Sequence, residues 1–79
     1  MNTKTTETLE EIFRAVFSLP PGSDVAGIRQ LSTPTWDSLA HVALVTAIES
    51  ELGITIDASD QLRMTSFAST GILLEERGL

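Results

Sequence analysis

The sequence predicts an all-α domain: a four-helix bundle with a long loop between helices one and two and a short third helix. Three observations predict it. Apolar residues recur at three- and four-residue spacing, the mark of helices with one buried face. Prolines and glycines gather between those segments, where helices must stop. The 79 residues contain no cysteine, so a single domain spanning residues 1–79 must be held by packing alone.

The first periodic segment covers roughly residues 6 to 18, with Leu9, Ile12, Phe13, Val16 and Phe17 on one face. Thr8 and Glu11 have capping-box spacing, which puts the start at Thr5 or at Thr8. Residues 1–5 precede the pattern and are candidates for disorder. The helix must stop near Ser18 or Leu19, because Pro20-Pro21-Gly22 cannot continue it.

Residues 20 to 36 hold all three prolines and two of the five glycines. Loops beyond about 12 to 15 residues are uncommon in compact domains. Val25, Ile28 and Leu31 can plug this one into the core, so it reads as an ordered crossover with a short helical turn near Val25 to Ile28.

The second helix runs from Ser38 to Leu52, with Asp37 as N-cap and Gly53 as its stop. On a wheel of about 100° per residue, His41, Leu44, Val45, Ile48 and Leu52 form the core face. Leu39, Val42, Ala43, Thr46 and Glu49 fall on the opposite side. Ile54-Thr55-Ile56 is an extended link, and Asp57 caps a brief third helix through Arg63. A fourth helix starts at Thr65-Ser66, turns Phe67, Ile72 and Leu74 inward, and ends in Glu75, Glu76 and Arg77 with Gly78 as cap.

Eleven acidic residues against five basic ones leave a net charge of -6. Nucleic-acid binding rests on cations that displace counterions from phosphates, so no nucleic-acid partner is expected. Anionic membrane surfaces are disfavoured for the same reason, and no apolar run approaches the about 18 residues a membrane span requires. The N-terminal Met1-Asn2-Thr3-Lys4-Thr5-Thr6 lacks the apolar stretch of a secretion signal, which makes a cytoplasmic protein the expectation. The acidity favours partner enzymes with basic docking patches.

The stretch that carries chemistry is Trp36-Asp37-Ser38-Leu39. A serine in the first turn, just after an acidic cap, presents its hydroxyl outward where a loop becomes a helix. Free N–H groups and the helix dipole favour an attached phosphate there by about 0.3–1 kcal/mol, enough to orient a covalent phosphodiester but not to hold a free ligand.

Asp37-Ser38-Leu39 at the start of an apolar helix resembles the attachment motif of acyl and peptidyl carrier proteins. The similarity extends through Val42, Leu44-Val45, Ala47-Ile48-Glu49 and Leu52 into Ile54-Thr55-Ile56. It continues to Met64-Thr65-Ser66-Phe67, which is similar to the family's approach to its last helix. It covers most of the chain and is strongest from residue 36 to residue 74.

The resemblance implies a monomeric carrier domain over residues 1–79 with the bundle of the acyl carrier proteins. By that resemblance, Ser38 receives 4'-phosphopantetheine from coenzyme A through a phosphopantetheinyl transferase. The arm's thiol then holds cargo as a thioester. Asp37 and Leu39 flank the attachment point, and Asp37 aids recognition near the transferase's magnesium. A carrier of this kind is not an enzyme: an acyl-activating enzyme or acyltransferase loads it and a downstream synthase takes the cargo. Trp36, Leu39, Val42, Ala43, Thr46 and Glu49 are the candidate partner-binding residues. Leu44, Ile48, Ile56, Leu62 and Phe67 are candidates to line a shelter for an acyl chain.

Ala40 and Ala43 stand where fatty-acid-synthesis carriers commonly have acids, leaving Glu49 and Glu51 as the nearby carboxylates. That departure directs the expectation to a specialised biosynthetic pathway, for a polyketide, lipid or related product. Trp36 either anchors the long loop or offers a flat contact to a partner. Val42 either belongs to a docking face or packs under the loop. His41, the sole histidine, reads as a partly buried structural residue. Asp57-Ala58-Ser59-Asp60 lacks the glycine and terminal glutamate of a calcium loop, so no metal is assigned. Gly71 permits close helix approach or leaves room for cargo. Ser38 also fits as an ordinary helix-start residue. The alternatives are a discrete peptidyl or aminoacyl carrier, an unmodified carrier-like adaptor, and a small enzyme built on His41.

Overall fold

The computed structural model describes all 79 residues. Four α-helices and no strand follow one another: α1 (Thr3–Val16), α2 (Ser38–Leu52), α3 (Ala58–Arg63) and α4 (Phe67–Glu76). One 3-10 turn, Gln30–Ser32, interrupts the long crossover between α1 and α2.

α1 starts earlier than its apolar pattern. Its N-cap is Asn2, whose Oδ1 accepts the Thr5 N–H at 2.8 Å, rather than Thr5 or Thr8. Thr8 is inside the helix and donates its hydroxyl to the Lys4 carbonyl at 3.0 Å. α1 thus takes in Thr3 to Thr5, ahead of the apolar pattern. The cause is tertiary: the Met1 ammonium group pairs with Glu75 at 2.7 Å and the Asn2 N–H donates to the Leu79 carbonyl at 3.2 Å. α1 ends with Ser18 at φ 56° and the Leu19 N–H bonded back to the Arg14 carbonyl at 2.9 Å. The left-handed residue that closes a helix is usually glycine, so serine here carries a steric cost.

α2 has the bounds its local signals require. The Asp37 Oδ1 accepts the Ala40 N–H at 2.8 Å, and Gly53 closes the helix at φ 66°. Asp57 caps α3 in the same way, accepting the Asp60 N–H at 2.8 Å. Ser66 and Ser69 form a reciprocal capping box at the start of α4. At its end, the Gly78 and Leu79 N–H groups bond to the Glu75 and Leu74 carbonyls, each at 3.0 Å. That pattern satisfies carbonyls the helix would otherwise orphan.

α1 packs chiefly on α2, and α4 packs on α1 and α3. The core includes Leu9 and Ile12 of α1, Leu44 and Ile48 of α2, and Leu73 and Leu74 of α4, all buried. Phe13 is the hub. Its ring makes edge contacts with Phe17 at 5.4 Å, Trp36 at 5.6 Å and Phe67 at 5.1 Å, joining α1, the crossover and α4. Such pairs add about 0.5–1.5 kcal/mol each beyond burial.

Two residues expected inside lie outside. Leu31 is 98% exposed, although Val25 is buried and Ile28 half-buried as the spacing requires. The backbone explains it. Gln30 N–H donates to the Thr65 carbonyl at 2.9 Å and Phe67 N–H to the Ile28 carbonyl at 3.0 Å, holding Arg29 extended opposite Ser66. The helical turn is consequently at Gln30–Ser32 rather than near Val25 to Ile28, where a single bond from the Ile28 N–H to the Val25 carbonyl (3.0 Å) makes a simple turn. Ile72 is 55% exposed, because a helix that points Phe67, Thr70 and Leu74 inward must send Ile72 to its far side.

Candidate functional site

Ser38 is the first residue of α2 and is exposed, with no hydrogen bond to its hydroxyl. Asp37 orders the turn around it through its side chain on the Ala40 N–H (2.8 Å) and its carbonyl on the His41 N–H (2.9 Å). The N–H groups of Ser38 and Leu39 are left without a backbone acceptor. The hydroxyl therefore stands free at the positive end of a 15-residue helix.

An open recess of about 250 Å³ adjoins Ser38, walled by Gln30, His41, Gln61, Leu62, Met64 and Thr65. These residues come from the crossover, α2, α3 and the α3–α4 link, so the recess exists only in the folded chain. Four of those six residues, Gln30, His41, Gln61 and Thr65, are polar. Of the five residues expected to line an acyl shelter, only Leu62 borders it. Leu44, Ile48 and Ile56 are packed into the core, and Phe67 meets Phe13 edge-on. The expected apolar shelter is thus not assembled: all its members but the exposed Leu62 serve the packing that an 8.5 kDa chain needs for stability.

Trp36 is buried at 4% exposure, which corrects its assignment as a partner contact. It anchors the crossover. Its indole lies 4.6 Å from the Phe17 ring, and its Nε1–H donates to His41 Nδ1 at 3.1 Å. A donor at Nδ1 makes that nitrogen the acceptor, so the proton of the neutral imidazole is on Nε2, which donates to the Gln61 carbonyl at 3.0 Å. With both ring nitrogens engaged inside the fold, His41 is a structural pin between loop, α2 and α3, and it makes no hydrogen bond to Ser38.

The remaining candidates divide. Leu39 is 79% exposed and Val42 61%, so Val42 does not pack under the loop. Ala43 and Thr46 are exposed beyond them. Glu49 is half-buried and its Oε2 accepts the Ile56 N–H at 2.8 Å, holding the extended link rather than standing free. Two exposed apolar side chains had no place among the sequence-derived surface residues: Leu31 and Leu62, 98% and 82% exposed. The signal for Leu62 is its place in a six-residue helix between Gln61 and Arg63. No comparable local signal exists for Leu31.

Charge near the recess is mostly paired within the fold. Asp60 pairs with Arg63 at 3.6 Å and with Arg77. Arg63 makes a two-pronged bridge to Glu76, both bonds 2.8 Å. The hydrogen-bonded guanidinium of Arg63 holds the Glu76 carboxyl below the usual glutamate range, and Glu76 in turn raises Arg63. Gly71 is buried under the Met1 side chain: a Cβ there would stand 3.1 Å from Met1 Cε, so the glycine makes room for the N-terminus rather than for cargo. No group of three or more His, Cys, Asp or Glu side chains converges on a metal-sized site. No helix is long and apolar enough to cross a membrane. Comparison with protein-family models, curated proteins and solved structures gave no match.

Proposed function

We propose that this chain is an acyl carrier protein in which Ser38 bears a 4'-phosphopantetheine arm and the arm's thiol carries an acyl group as a thioester. The observation that carries the reading is the free, exposed Ser38 hydroxyl at the start of α2, inside Asp37-Ser38-Leu39 and beside a recess. The order of long helix, long crossover, long helix, short helix and medium helix also suits the carrier fold.

The residues present fit the group. The unbonded N–H groups of Ser38 and Leu39 favour a phosphodiester anion on the serine oxygen. Gln30, Gln61 and Thr65 offer polar partners for an amide-containing arm, and Leu62 and Met64 offer apolar surface for its methylenes. In the loading step the Ser38 oxygen bonds to the pantetheine-bearing phosphorus of coenzyme A. The bond to the adenosine bisphosphate breaks, and the hydroxyl proton passes to a base of the transferase. When bound, the arm supplies a thiol that exchanges acyl groups.

The partners of this reading are a phosphopantetheinyl transferase, an acyl-activating enzyme or acyltransferase, and a downstream synthase of a specialised pathway. The packed interior favours cargo held outside the fold, which suits a short acyl chain and equally a discrete aminoacyl carrier.

Incubation of the purified chain with coenzyme A and a broad-specificity phosphopantetheinyl transferase tests the reading. Intact mass should rise by one arm in the wild type and not in Ser38→Ala. A folded wild type that never gains the arm leaves the unmodified adaptor as the better description.

A further inference from the structure

The large apolar side chains most open to solvent are not scattered. Leu31, Leu39 and Leu62 are 98%, 79% and 82% exposed, and they lie beside Ser38 or along the two recesses next to it. Leu39 follows it in the chain and Leu62 walls its recess. Leu31 lines a neighbouring recess that shares Gln30 and Thr65 with the first. They come from three different elements, the 3-10 turn, α2 and α3, so only the fold brings them together. Solvated apolar clusters of this kind mark contact surfaces.

The charges around this rim contrast with the acidic chain as a whole. Asp60 is held by Arg63 and Arg77, Glu49 by the Ile56 N–H, and the Asp37 side chain by the Ala40 N–H. Arg29, on the wall of the Leu31 recess, is exposed and pairs with no carboxylate. The large side chains exposed around Ser38 and the two recesses are therefore apolar, which matches a partner that offers an apolar contact area. The short reach of a serine side chain decides which partner. An enzyme acting on the hydroxyl itself must cover the surface around it, whereas a long arm lets later enzymes meet the cargo at a distance.

Resting on the carrier reading, we infer that Leu31, Leu39 and Leu62 form the docking rim for the phosphopantetheinyl transferase, which seats on it by apolar contact. The acids of the chain contribute little to that encounter. Leu31 and Leu62 are specificity determinants that touch the partner and not the reacting atoms.

Steady-state kinetics of arm transfer from coenzyme A to the full chain test this, with Leu31→Ser, Leu62→Ser, the double variant and Ile72→Ser as an exposed apolar control. Each rim variant should raise KM for the carrier at least about fivefold, as truncation of a central interface residue does. The double variant should raise it further, with kcat little changed and the control like wild type. Rate against salt should be nearly flat, since screening acts on charge pairs. Unfolding midpoints should match wild type, because both leucines are solvated. Wild-type KM in the double variant, a loss confined to kcat, an equal loss in the control, or a steep salt dependence each overturn the rim while Ser38 still gains its arm. A wild type that takes no arm overturns the carrier reading and the rim together.

Discussion

The indole N–H of Trp36 donates to His41 Nδ1 across 3.1 Å, and the two rings stack with centroids 6.2 Å apart. Through Nε2 on the Gln61 carbonyl, the same imidazole ties α3 to the crossover and α2 beside Ser38. Removing it leaves a buried indole donor without its acceptor, a loss of about 1–3 kcal/mol. His41→Ala should lower unfolding stability in urea by that amount, and His41→Gln, which keeps an acceptor and a donor, should recover part of it. A cost near zero in both would mean that the pin is not made in solution.

Ser18 holds a left-handed backbone, φ 56°, at the C-terminus of α1. Glycine adopts that conformation without the Cβ clash, though it also loosens the unfolded chain. Ser18→Gly should raise stability by about 0.5 kcal/mol, read as a higher denaturation midpoint at constant slope. Destabilisation would show that the serine side chain contributes something its exposure does not suggest.

Gly71 is buried in α4, and a methyl group there meets only the flexible end of Met1, 3.1 Å away. Alanine gains about 1 kcal/mol over glycine in a helix interior. Gly71→Ala should therefore be neutral or stabilising by up to about 1 kcal/mol in thermal or urea unfolding. A clear loss would mean that the N-terminal residues are locked against α4 too tightly to yield.

Glu76 is exposed yet has its carboxyl lowered, first by the hydrogen bond from Arg63. A carboxyl depressed in the folded state contributes stability that is present above its unfolded value and lost as pH falls through the folded one. Acid titration of unfolding stability should show this loss below the ordinary glutamate range, and Glu76→Gln should flatten that part of the profile. Solvent and salt keep the effect small. Identical acid profiles for the two proteins would remove the bridge from any role in stability.

Legibility from sequence followed locality. α2 was readable to the residue because Asp37 and Gly53 mark its two ends and act within one turn. The start of α1 was not, since Asn2 works together with contacts from Met1 to Glu75 and from Asn2 to Leu79 at the other end of the chain. The same holds for Leu31. Its spacing from Val25 and Ile28 suggested burial, but bonds from Ile28 and Gln30 to Phe67 and Thr65 set its direction. At the site, the exposure of Ser38 followed from its first-turn position, and the partial burial of His41 from its place on the core face. Their surroundings did not: Gln61, Leu62 and Thr65 reach the recess only through the packing of α3 and the link behind it. Ile72 misled because apolar character was counted without the phase that Ser66 imposes on α4.

The most direct measurement is fragment mass spectrometry of the chain after treatment with coenzyme A and a phosphopantetheinyl transferase, locating any added mass to a residue. One pantetheine phosphate on Ser38, and on none of the other serines or threonines, is the outcome required of a carrier. A folded chain with Ser38 bare, or with the arm on another residue, contradicts it.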